Sequence, residues 1–173
     1  MLSATMQTKL LEQAGKEWDS EYYYMAMGAW CYNNELDGFG AWFEQQASEE
    51  HTHGLRILHY IRDVGGQISI PAINPIGNDF SSLRDTFEKT LEHEQLVTRM
   101  VHDLVSQARQ ENDHTTDHFL QWFVSEQVEE ESTARAILAK VKRAGDNPSA
   151  LFLLEQQLAP AAAKAGGEAA ASE

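Results

Sequence analysis

The chain has 173 residues, 27 of them acidic against 13 basic, for a formal net charge of −14 and an apolar share of 42%. That length fits one domain with a sizeable core, and the charge repels nucleic acid and anionic lipid while favouring cations. No run approaches the roughly 18 consecutive apolar residues of a membrane span, residues 1–13 lack the features of a secretory signal, and the lone Cys31 permits no internal disulfide, so a cytoplasmic protein is expected.

The first helix is expected over about residues 5–33, with Leu11, Ala14, Trp18, Met25 and Ala29 among its apolar positions and Asn33-Asn34 as its stop. Glu17 lies beside Trp18, and Tyr24 follows two turns later on the same face. The second helix, 37–65, ends at Gly65-Gly66 and carries the stripe Phe39, Phe43, Gln46, Glu50, His53, Ile57, Ile61, Val64 at steps of three or four. Glu50 and His53 therefore interrupt a core face. A charged carboxylate there costs several kcal/mol unless a cation meets it, and Glu-x-x-His on a bundle helix can present two ligands to one metal.

Residues 67–80 hold two prolines and several β-branched residues but no helical period. Fourteen extended residues reach about 45 Å, enough to run the length of a 28-residue helix of about 40 Å. This predicts a crossover that leaves helices two and three parallel. Helix three, 82–110, opens at a Ser82/Asp85 capping pair and carries Leu83, Phe87, Leu91, Glu94, Val97, Val101, Leu104 and Ala108. Helix four, 114–144, is capped by Asn112-Asp113 and carries Phe119, Phe123, Gln127, Glu130, Ala134, Ile137 and Val141. Gly145-Asp146-Asn147-Pro148 separates it from a short fifth helix, 148–158, whose Leu151, Phe152, Leu153, Leu154 and Leu158 leave it apolar over much of its circumference. That helix either tucks against its own bundle or meets partner subunits, and the partner reading is preferred. The domain is then 1–160, and 161–173, rich in Ala, Gly and Glu, reads as a disordered tail.

The polar interruptions repeat. Adding 77 to Glu17, Glu49, Glu50 and His53 gives Glu94, Glu126, Gln127 and Glu130. Each half thus supplies one Glu from its first helix and an i, i+3 pair from its second, the ligand layout of di-iron carboxylate bundles. The second pair, Gln127-x-x-Glu130, departs from Glu-x-x-His, so the two halves differ chemically. Glu17, Glu50, Glu94 and Glu130 carry four negative charges when ionised, which two divalent ions neutralise. Without them several carboxyls must stay protonated through raised pKa values. Carboxylate-dominated ligation with one imidazole and no thiolate suits Fe(II) or Mn(II) rather than structural zinc.

In residue type and spacing, Glu17, Tyr24, Glu49-Glu50-x-x-His53, Glu94, Trp122 and Glu126-Gln127-x-x-Glu130 resemble the ferroxidase-centre pattern of bacterial non-haem ferritins, over roughly residues 5–158. The resemblance implies an all-α ferritin-like four-helix bundle with a short fifth helix. Glu17, Glu50 and His53 would hold one iron and Glu50, Glu94 and Glu130 the other, with Gln127 as a hydrogen-bonding neighbour. Glu49, Glu126 and Glu129, with Glu130 shared, resemble a third iron site. It also implies oxidation of Fe(II) by dioxygen or hydrogen peroxide, storage as a ferric oxyhydroxide mineral and a hollow shell of 24 subunits, and it places Tyr24 and Trp122 near the centre, either as core packing or as groups that hydrogen-bond a ligand or supply an electron. Haem is not expected: haem-binding relatives repeat Glu-x-x-His in both halves and place Met where this chain has His51, which is either a surface residue or an auxiliary ligand. The competing readings are a non-catalytic metal-binding or assembly bundle and another di-metal oxidase or peroxidase; one cysteine excludes the Cys-rich segment of a rubrerythrin.

Overall fold

The structure, a computed structural model, describes residues 2–74, 77 and 79–169, with side chains to 158. Its helices are α1 (Ala4–Asn33), α2 (Asp37–Asp63), α3 (Leu83–Gln110), α4 (His114–Ala144) and α5 (Pro148–Ala169). Four of the helix starts have side-chain caps. Ser3 accepts from the Met6 N–H, Ser82 from that of Asp85, Asp113 from that of Thr116 and Asn147 from that of Ala150. Asp85 reaches back to the Ser81 N–H rather than that of Ser82, a capping box displaced by one residue. At the far end of α2, Gly65 takes φ +81°, the left-handed conformation that ends a helix without a Cβ clash.

Side-chain contacts set the relative directions. Gly28 of α1 faces Gly40 and Phe43, Trp18 lies over Gly54, and Gln7 meets Gly66, so α1 and α2 are antiparallel. Met27 meets Thr90, Ser20 meets His93 and Ser3 meets Glu111, so α1 and α3 are antiparallel too. Helices α2 and α3 are consequently parallel, as the length of the connection predicts. That connection climbs the outside of α1: Gln67 N–H donates to Gln7 Oε1 at 3.0 Å, Pro71 covers Gly15, and Asn74 donates twice to Asp19 at 2.8 and 2.7 Å. Its Pro75, Ile76 and Asn78 lie outside the described residues.

Two apolar clusters fill the bundle. One gathers Tyr24, Met27, Phe39, Phe43 and Phe87 with Ile137 and Val141; the other gathers Met6, Leu10, Ile57, Ile61, Val101, Leu104 and Phe123. The polar residues of the stripes lie at mid-length between them.

Two expectations change. Met25 and Ala29 are exposed, and Met27, Gly28 and Cys31 take the inner face of α1. Helix α5 tucks against its own bundle with one face: Leu154 and Leu158 bury into it and Glu155 accepts from the Gly38 N–H at 2.9 Å, while Phe152 and Leu153 stay exposed. It also continues to Ala169, across most of the stretch read as tail, because the alanines at 161–163 have the highest helix propensity. The end of that tail, 170–173, lies outside the described residues.

Candidate metal centre

All four long helices bury acid at one level. Glu17, Glu50, Glu94 and Glu130 are 1, 3, 0 and 9% exposed, burial that an unpaired carboxylate does not tolerate in ionised form. Each sits where the helical period demands an apolar side chain, so packing of the flanking residues carries it inward. Ligand atoms of Glu17, Glu50 and His53 lie within 4.8 Å of one another. His53 Nδ1 is 3.3 Å from Glu50 Oε2, and Gln13, one turn before Glu17, donates from Nε2 to Glu17 Oε1 at 2.9 Å.

The other half is organised differently. Tyr24 donates its hydroxyl to Glu94 Oε1. Gln127 Nε2 points at the Glu94 carbonyl and Oε2, both at 3.2 Å, and at Thr98 Oγ1 at 3.4 Å. Glu130 is placed by neither.

Burial, then the charge of Glu50, pushes the Glu17 carboxyl well above the usual carboxylate range. Burial followed by Glu94 does the same to Glu50, and burial followed by Glu94 and Glu50 to Glu130. Burial and Glu94 hold the Tyr24 phenol well above its ordinary value, so it stays a donor. Protein alone thus leaves too much negative charge in one layer. Two divalent cations would relieve it, and the donors, carboxylate oxygen with one imidazole, are those that iron takes.

The outer acids are less enclosed. Glu49 is half-buried and accepts from Gln45 at 3.1 Å and Gln46 at 2.5 Å; Glu126 is half-buried and Glu129 exposed. Burial raises the Glu126 carboxyl, with Glu129 and Glu49 adding to the rise and His53 and Arg56 opposing it. Those relations put Glu49, Glu126 and Glu129 in one field. Trp122 lies edge-on to His53, ring centroids 5.3 Å apart. His51 is exposed and pairs with Glu21 at 3.0 Å, so it is a surface residue.

Several neighbours escape the sequence reading. Gln13 was detectable in principle as an i, i+4 partner of Glu17. Thr98 and the 2.7 Å pair Ser20–His93 were not, since only packing brings α1, α3 and α4 together. Trp18 Nε1 is buried without an acceptor among the described residues, and its ring lies so close over Gly54 that a Cβ there would come within 2.5 Å. A surface cavity of about 480 Å³ beside Asp19, Tyr23 and Arg99 includes none of the buried carboxylates; the chemistry resides in the bundle interior instead.

Known proteins resemble this chain in sequence and fold. The sequence model of the ferritin-like domain matches residues 7–144. The bacterial non-heme ferritin of Campylobacter jejuni is 39% identical over 158 residues, covering 91% of this chain and 95% of that protein, and its Staphylococcus aureus counterpart is 41% identical over the same shares. Among solved structures, an open pore ferritin from the archaeon Archaeoglobus fulgidus superposes with a TM-score of 0.89 at 35% identity, covering 91% of this chain and 96% of that one. A humanized archaeal ferritin superposes at 0.90, also with 35% identity, over 92% and 96%.

Proposed function

This chain belongs to the ferritin-like domain family and is an iron-storage ferritin, and we propose that it oxidises Fe(II) at the buried carboxylate layer before storing it. The observation that carries the reading is the convergence of Glu17, Glu50 and His53 within 4.8 Å at full burial, opposite Glu94 and Glu130.

Fe(II) is the substrate here. Glu17, Glu50 and His53 hold one ion, and Glu50, Glu94 and Glu130 hold the second, with Glu50 shared. Each Fe(II) gives up one electron, so a pair reduces dioxygen by two electrons and, with two protons, yields hydrogen peroxide. Peroxide consumed by a second pair gives water. Binding expels the protons that burial keeps on Glu17, Glu50 and Glu130. The Tyr24 hydroxyl and the Gln127 amide orient Glu94, which leaves its oxygens aimed rather than free to rotate. Glu49, Glu126 and Glu129 form an outer position through which iron leaves the pair. Ferric iron then accumulates as an oxyhydroxide mineral inside a shell of 24 copies in the cytoplasm, without haem. No helix among the described residues is long and apolar enough to cross a membrane. The exposed Phe152 and Leu153 on α5 are apolar surface that such packing would cover.

The test adds two Fe(II) per subunit to metal-free protein in air, followed by a large excess. Fast stoichiometric ferric absorbance and a soluble iron core that sediments with the protein are expected. Binding without faster oxidation would support a non-catalytic bundle, and oxidation without a core a small-molecule di-iron oxidase.

A further inference from the structure

Arg56 is a cation in the field of Glu126 that the mechanism leaves unused. It follows His53 by one turn and Glu49 by two on α2, while on α4 Trp122 precedes Glu126 by one turn and Glu129 by two. Tyr60 stacks on Phe119 while His53, two turns earlier, meets Trp122 and Phe123, so α2 and α4 run antiparallel, and these positions form a ladder in which Glu49 meets the level of Glu129, His53 that of Glu126, and Arg56 that of Trp122. The last rung is made: Arg56 Cζ lies 4.0 Å from the Trp122 ring centroid, a cation–π contact, and Trp122 in turn stands edge-on to His53. Among the described residues Arg56 forms no carboxylate ion pair, so its charge is held by the indole, beside the acids without being bound to any of them.

We propose that Arg56 is a resident counter-cation of the outer group Glu49, Glu126 and Glu129, stacked on Trp122, and that it weakens that group's hold on a third Fe(II) so that iron passes on. Charge supports the assignment. The four inner carboxylates match two divalent ions. The three outer ones exceed a single Fe(II) by one negative charge, and one guanidinium supplies the difference. The field of Arg56 at Glu126 opposes that of Glu49 and Glu129, as this role requires. A full-strength trio with no resident cation would bind Fe(II) more tightly and release it more slowly. The proposal rests on the outer iron position described above.

The test is anaerobic Fe(II) titration of the full-length protein, with tryptophan emission and equilibrium dialysis as readouts, for wild type, Arg56→Gln, Arg56→Lys and Glu126→Gln. In Arg56→Gln the third equivalent should bind about tenfold tighter, shifting more than the first two, and the gain should shrink at high salt because the site is partly exposed. Arg56→Lys, which keeps the charge and loses the planar stack, should return most of the way to wild type. A third equivalent unchanged in Arg56→Gln, or altered equally in Arg56→Gln and Arg56→Lys, overturns the role of Arg56. Wild type saturating at two equivalents, with Glu126→Gln identical to it, overturns the outer position as well.

Discussion

The two halves of the centre have the same scaffold and different wiring. In the first, Glu17, Glu50 and His53 approach one another directly, supported by the Gln13 amide on Glu17 and by the Trp122 ring against His53. In the second, Glu94 is gripped by Tyr24 from α1 and Gln127 from α4, and Glu130 stands apart. A repeated sequence thus produces repeated helices, while the replacement of Glu-x-x-His by Gln-x-x-Glu puts, where the first half has the Glu50 carboxylate, an amide aimed at Glu94. The first half is a preformed corner of two carboxyls and an imidazole; the second is a carboxylate held in place from outside.

That contrast can be tested by removing its parts. Glu50→Gln strikes the acid that the proposed mechanism shares between both halves and should slow Fe(II) oxidation by at least about 100-fold in stopped-flow ferric absorbance; a wild-type rate would refute the assignment of Glu50. Tyr24→Phe releases only Glu94, and should cost about tenfold in rate while the first metal equivalent still binds at its normal affinity. Loss of both equivalents together would mean the halves are not separable.

The acids of both halves also set a pH dependence. Glu17, Glu50 and Glu130 have folded pKa values raised above the ordinary 4.5, so the folded protein holds protons that the unfolded chain has lost. Their contribution to stability is complete below about 4.5 and is lost as pH rises through the folded values. The melting temperature of metal-free protein should therefore fall as pH rises above the ordinary carboxylate range, and divalent metal should reverse that fall. A flat profile would mean these acids ionise freely without metal.

Smaller effects test the packing around the first half. Gly54→Ala pushes a methyl into the Trp18 indole and should cost about 1–3 kcal/mol in denaturant unfolding, with the second half's Glu94 contacts unaffected. Cys31 lies outside both halves, buried, with burial pushing its thiol up to about 12. It should resist thiol reagents at pH 8 until the protein is unfolded.

Helix type, most helix ends and the inward stripes were legible in the sequence, because spacing of three and four residues alone decides which side chains share a face. The 77-residue repeat likewise exposed Glu94 and Glu130 as partners of Glu17 and His53. The inner face of α1 was harder: Tyr22, Met25, Ala29 and Tyr32 form a second apolar stripe, and only packing against α2 decided that Met27 and Cys31 turn inward. Relations between helices depend on axial register and rotation, to which local spacing is blind. The tertiary structure alone therefore decided that Gln127 reaches Glu94 and Thr98, that Ser20 finds His93, that His51 turns out to Glu21, and that Arg56 rests on Trp122.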